Sequence, residues 1–139
     1  MSTEENKALV RRFCEECYNK GDLDVFDEIV DPEWVNHSPD GTTMHRDDFR
    51  EMVGSRELFP DMKITIEDMI AEGDKVVVRR TTTGTHKGEF MGIAATGKQV
   101  TTSGIVVQRY AAGKLAESWT NNDDLGMLRQ LGALPADLQ

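Results

Sequence analysis

The sequence predicts an α+β domain: N-terminal helices packed on a curved antiparallel sheet that forms a cone-shaped open barrel with an internal pocket. Three observations carry this. Apolar residues recur at three- and four-residue spacing in the segments between Thr3 and Phe59, the mark of helices. From Met62 onward the period falls to two, the mark of strands. Short turns such as Glu72-Gly73-Asp74 and Ala111-Ala112-Gly113 separate those strands, so they follow one another as an antiparallel meander. A long twisted sheet with helices on one side can curl and enclose a pocket lined by alternate strand residues.

The bulk properties fit one such domain over residues 1–139. Hydrophobic residues make up 38% and charged residues 29%, an ordinary globular balance that can bury a core without staples. The net charge of −9 repels phosphate backbones and argues against a nucleic-acid partner. No stretch approaches the roughly 20 apolar residues of a membrane span. The start, Met-Ser-Thr-Glu-Glu-Asn-Lys, lacks the apolar run of a signal peptide, so a cytoplasmic location is expected.

Thr3 opens the first helix, with Glu5 and Asn6 as capping candidates; Ala8, Leu9, Phe13, Cys17 and Tyr18 give it an apolar face to about Asn19. Gly21 is its C-cap. Asp22 caps a second helix, Leu23 to Val30, which Asp31-Pro32 ends because the residue before proline disfavours α geometry. Trp34 to Ser38 is a short extended segment, Pro39 to Met44 a loop, and Arg46 to Phe59 a third helix with Gly54 as its weak point. Met62 to Ala71 is a strand whose Met62, Ile64, Ile66, Asp68 and Ile70 share one face. Lys75 to Thr85, Lys98 to Tyr110 and Lys114 to Thr120 are the remaining strands. The last helix follows Asp123, with Leu125, Met127, Leu128 and Leu131 as its anchor.

Cys14 and Cys17 form a C-x-x-C pair. A zinc site needs about four ligands, a redox pair sits at a helix start after a strand, and neither condition is met. They are expected to be apolar helix positions. The three histidines show no H-x-H, H-x-x-x-H or H-E-x-x-H spacing, so no metal site is predicted.

Asp123 falls where the last strand hands over to the last helix, a place held by the scaffold yet accessible to ligand. Asp is also a favoured N-cap, worth about 1 kcal/mol, which is a sufficient structural reason for its presence.

Asn19-Lys20-Gly21-Asp22, Asn36-His37 after Trp34, Phe59-Pro60-Asp61, the block Gly84 to Ile93, Gly97-Lys98, and the terminal run from Trp119 through Asp123 to Gly132 occur together. In these residues the chain resembles the SnoaL-like polyketide cyclase or ester cyclase family, of the nuclear transport factor 2-like superfamily. The resemblance implies an α+β cone with a deep pocket, often in a dimer or tetramer. It implies closure of a polyketide-type ring by intramolecular aldol condensation, without metal or cofactor. Asp123 matches the family's acid/base residue. Asn121-Asn122 stands where many relatives place a larger apolar or aromatic residue, and Cys14 where they often place an aromatic one. If these face the pocket, it is more polar or roomier.

An aldol closure needs one base and donors for the enolate oxygen. Trp34 and Trp119 are candidate apolar walls around Asp123. His37 and His86 are candidate proton relays or donors. Asn36 and Tyr18 are candidate substrate contacts. Arg80 and Arg109 could reach into the cone and hold a carboxylate, or pair with Glu117. The substrate is then a small carbonyl or polyketide-type molecule. The alternatives are a binding module of the same fold without turnover, or an isomerase- or epoxide-hydrolase-like enzyme. The environment of Asp123 separates these readings.

Overall fold

The structure, a computed structural model, describes residues 2–135 and 137. Helix α1 (Thr3–Arg12) begins at Ser2, whose hydroxyl accepts from the Glu5 amide while Glu5 reaches back to the Ser2 amide. This reciprocal cap satisfies two otherwise free N–H groups. The helix runs on as a π-helical turn, Phe13–Tyr18, with Asn19 N–H donating to the Cys14 carbonyl. The wider turn inserts one residue, so Phe13, Cys14, Cys17 and Tyr18 are all buried. The inward face therefore runs through Asn6, Val10 and Phe13, and Ala8 is exposed, one correction to the expected stripe.

Burial pushes the Cys14 thiol up to about 11 and the Cys17 thiol up to about 12. Both are free thiols. Because the thiolate is the reactive form, the native protein is expected to resist a disulfide reagent in neutral buffer and to release two thiols only in denaturant. Fast labelling of the native protein would contradict this.

Asp22 caps helix α2 (Leu23–Ile29), its Oδ1 accepting from the amides of Asp24 and Val25. Strand β1 (Val30–His37) starts at once, earlier than the sequence suggests, with an irregular register between Val30 and Val35 that accommodates Asp31-Pro32. A short strand β2 (Thr43–His45) pairs with it where a loop is expected. Helix α3 (Arg46–Ser55) stops short of Phe59. Arg56 takes the left-handed conformation at φ 51°, and its guanidinium donates to the carbonyls of Tyr18, Pro60 and Met62. Those bonds to three carbonyls fix the segment as a loop.

Strands β3 (Lys63–Glu72), β4 (Lys75–Thr85), β5 (Gln99–Ala111) and β6 (Lys114–Asn122) form the meander, and helix α4 (Asp124–Gln130) follows. The single sheet has the order β2-β1-β6-β5-β4-β3, antiparallel except that β1 runs parallel to β6. Two bulges reverse the alternation. In β3 the register slips between Ile66 and Asp68, so Glu67 is extra, Met69 and Ala71 turn inward, and Ile70 is 68% exposed. In β6 the slip falls between Leu115 and Glu117. In α4 Leu131 is buried but Leu125 is 53% exposed, so Leu125 is not an anchor. The helices cover the inner face of the sheet around a core of Phe13, Tyr18, Phe26, Trp34 and Phe49 with the inward valines of β4 and β5.

Candidate functional site

Strand alternation sorts the site residues. On the inner face, cross-strand rows run Val76–Gln108–Ser118–Asn36, Val78–Val106–Thr120 and Arg80–Gly104–Asn122. Between this face and helix α3 lie two adjoining cavities. The first, about 440 Å³, is walled by Phe59, Leu58, Phe90, Val100 and Met127 and includes Asp123. The second, about 360 Å³, is lined by Trp34, Asn36, Phe49, Gln108 and Thr120. Tyr18, Met52, Arg80, Asn122 and Asp124 line both, so the two are lobes of one pocket.

Asp123 stands at the strand-to-helix handover. Its amide donates to the Ser103 carbonyl, and its Oδ1 accepts from Gly126 N–H at 2.9 Å, which makes it the N-cap of α4. The carboxylate lies directly over Gly126; a Cβ there would overlap it. One oxygen is thus anchored on the backbone while the residue, exposed, stands at the rim of the first lobe. Trp34 and Trp119 do not supply the apolar wall of that lobe, which comes from Phe59, Phe90 and Met127 instead.

Trp34, Asn36 and Tyr18 reach the pocket. Trp34 Nε1 donates to Ser118 Oγ at 3.0 Å, and Thr120 Oγ1 donates to Asn36 Oδ1 at 2.7 Å, which locks both side chains against the floor. His86 does not reach the pocket. It is 0% exposed, its Nδ1 is held by Thr96, and it packs behind Phe59 with ring centroids 5.8 Å apart. Its Nε2 has no hydrogen-bond partner among the described residues.

His37, Trp119, Arg109 and Glu117 lie on the opposite face of the sheet. The reason is period two: Asn36 and His37 are consecutive in one strand and cannot both point inward. His37 Nε2 and Glu117 Oε2 are 2.7 Å apart, Arg109 Nε donates to Glu117 Oε1 at 3.2 Å, and His37 stacks on Trp119. The His37 hydrogen bond, then Arg109, hold the Glu117 carboxyl below its usual range. A depressed carboxyl stabilises the fold above its unfolded value of about 4.3, and that contribution disappears as pH falls through the lower folded value. Glu117→Gln is therefore expected to cost up to about 1 kcal/mol at neutral pH and nothing at strongly acidic pH, measured by denaturant titration. An equal cost at both would rule out the charged network as the cause.

Gln108 and Thr120 are pocket residues that the sequence does not single out, whereas Arg80 and Asn122, both raised there, do line the pocket. The signal for Arg80 is its phase with Val76 and Val78, but Val77 and Arg79 carry the same chemistry on the other face, and local pattern cannot choose. Asn121 faces outward and Cys14 lines neither lobe, so of the polar departures only Asn122 enters the pocket. Among the described residues no group of three His, Cys, Asp or Glu could hold a metal ion, and no helix is long and apolar enough to cross a membrane.

Helices closed over one face of a mostly antiparallel sheet, with a two-lobed pocket and a carboxylate at its rim, define a small-molecule pocket protein of nuclear transport factor 2-like fold. The chain belongs to the SnoaL-like polyketide cyclase family, whose model matches residues 8–131. It is 32% identical to AclR of Streptomyces galilaeus, a candidate hydroxylase, over 96% of this chain and 85% of that one, with a TM-score of 0.84. It is 32% identical to wild-type IdmH of Streptomyces antibioticus, a candidate polyketide cyclase, over 91% and 97% of the two chains, with a TM-score of 0.78. TsrD of Streptomyces laurentii is 30% identical over 96% and 99%, with a TM-score of 0.85. No curated protein matches the sequence.

Proposed function

We propose that this protein is a cyclase that closes a ring on a small carbonyl or polyketide-type substrate by intramolecular aldol chemistry, with Asp123 as general acid and base. The observation that carries this is the Asp123 carboxylate, backbone-anchored at one oxygen, at the exposed rim of an apolar-walled 440 Å³ cavity. Asp123 takes the proton beside a substrate carbonyl. The enolate carbon attacks a second carbonyl and forms the C–C bond. The resulting alkoxide takes the proton back, so Asp123 ends as it began. The sequence of steps is redox-neutral and needs no cofactor. The likeness to IdmH of Streptomyces antibioticus, a candidate polyketide cyclase, supports a ring-closing reading.

The cap bond to Gly126 favours a second reading, a binding module in which Asp123 is structural. Turnover separates the two. The test follows ring closure of open-chain aryl 1,3-diketones by absorbance, with wild type against Asp123→Asn. Closure by wild type alone supports the cyclase; equal rates for both leave only binding.

On the outer face, Ile70, Val77, Val107 and Trp119 form one cross-strand apolar row, with Ile70 largely exposed. This row supports assembly as a homodimer or tetramer. Two buried free thiols suit a reducing, cytoplasmic setting.

A further inference from the structure

Arg80 is the buried arginine of this structure, 8% exposed. Arg12, Arg46, Arg50, Arg79 and Arg109 each meet a carboxylate, and Arg56 meets backbone carbonyls. Arg80 forms no ion pair among the described residues. Its guanidinium instead lies 5.5 Å from the centroid of the Tyr18 ring, where the π-face offsets part of its desolvation.

Its position is where the two lobes join. In register it faces Gly104, and beyond Gly104 stands Asn122. A Cβ at Gly104 would overlap Asn122 Oδ1, so the Asn122 amide leans over the glycine toward β4. The glycine leaves a notch with a cation on one side and the Asn122 amide oxygen, an acceptor, on the other. The carboxylates that line the pocket, Asp48, Glu51, Asp123 and Asp124 among them, are all exposed and stand at its rim. The pocket thus has an acidic rim and a cationic floor. A fork of N–H donors held in a half-dry site, and left without an anion among the described residues, matches a carboxylate in shape and charge.

We propose that Arg80 anchors a substrate carboxylate, so that the pocket selects apolar ring compounds bearing an acid group. This rests on the small-molecule reading of the pocket and is independent of the role of Asp123.

The test is binding, without turnover. The probes are 2-naphthoate and its neutral methyl ester, titrated by fluorescence into wild type, Arg80→Gln and Arg80→Lys, each checked for folding by melting. Wild type is expected to hold the acid about 10- to 150-fold more tightly than the ester. Arg80→Gln is expected to erase that preference, and Arg80→Lys, with the charge but no fork, to keep part of it. Should Arg80→Gln fail to fold, the wild-type ratio and its loss with added salt decide the matter. Equal affinity for acid and ester, no binding of the acid, or an undiminished preference in folded Arg80→Gln overturns the proposal. Turnover without acid preference removes only the Arg80 assignment; acid preference without turnover removes only the acid/base reading.

Discussion

Asp123→Asn is expected to lower ring-closure turnover by about 10²- to 10⁴-fold, the usual contribution of a positioned acid/base group. The same change is expected to leave stability within a few tenths of a kcal/mol, because Asn caps a helix as well as Asp does. That combination is diagnostic. A purely structural Asp123 predicts no kinetic effect from a residue that caps equally well. Gly126→Ala offers a second handle, since a methyl group there must displace the carboxylate it overlaps. It leaves the acid in place chemically but moves it, so it is expected to reduce turnover as well. A change of less than threefold in Asp123→Asn, with the variant folded, would end the acid/base assignment.

Phe49→Ala is expected to cost about 3–5 kcal/mol, the range for deleting a buried aromatic side chain. Phe49 stands at the centre of the aromatic core. Its ring stacks on Trp34 at 4.4 Å and meets Phe26 at 5.2 Å, Phe13 at 5.7 Å and Tyr18 at 5.9 Å. It joins α1, α2, α3 and β1, so no single neighbour can relax into the void. For a chain of this length the loss corresponds to a fall in Tm of roughly 10–15 °C. Phe49 also lines the second lobe, so the variant, where it still folds, should have a larger pocket. Calorimetry of Phe49→Ala beside Phe49→Leu measures both effects. A loss below 1 kcal/mol would mean that the cluster is not the mechanical core.

The α+β order, the caps at Asp22 and Asp123 and the full extent of β4 are legible in the sequence because each rests on a local rule: a cap residue before an apolar stripe, or an unbroken period of two. The misplacements occur where one inserted residue changes the phase. The π-helical turn brings Cys14 inward, and the extra Glu67 sends Ile70 to the surface. Nothing local marks either insertion. The end of α3 is set by Arg56 bonding to carbonyls of distant segments, which is tertiary information.

The candidate site divides along the same line. Asp123, Trp34, Asn36 and Tyr18 reach the pocket, while His37, Glu117, Arg109 and Trp119 gather on the far side of the sheet. Alternation alone could have shown that Asn36 and His37 exclude one another. It could not assign Arg80, since β4 is rich in Val and Thr on both faces and either phase reads equally well.

The parallel pairing of β1 with β6 has a kinetic consequence. The meander β3 to β6 is built from neighbours in sequence, but Trp34 meets Ser118 across 84 positions. Loop-closure entropy puts such contacts late in folding. The second lobe of the pocket is made from them, so it comes into being only as β1 docks, after the hairpins have formed. Interactions absent from the transition state act on the unfolding rate. A ligand seated against Trp34 and Asn36 therefore lengthens the lifetime of the native state and leaves the speed of folding unchanged.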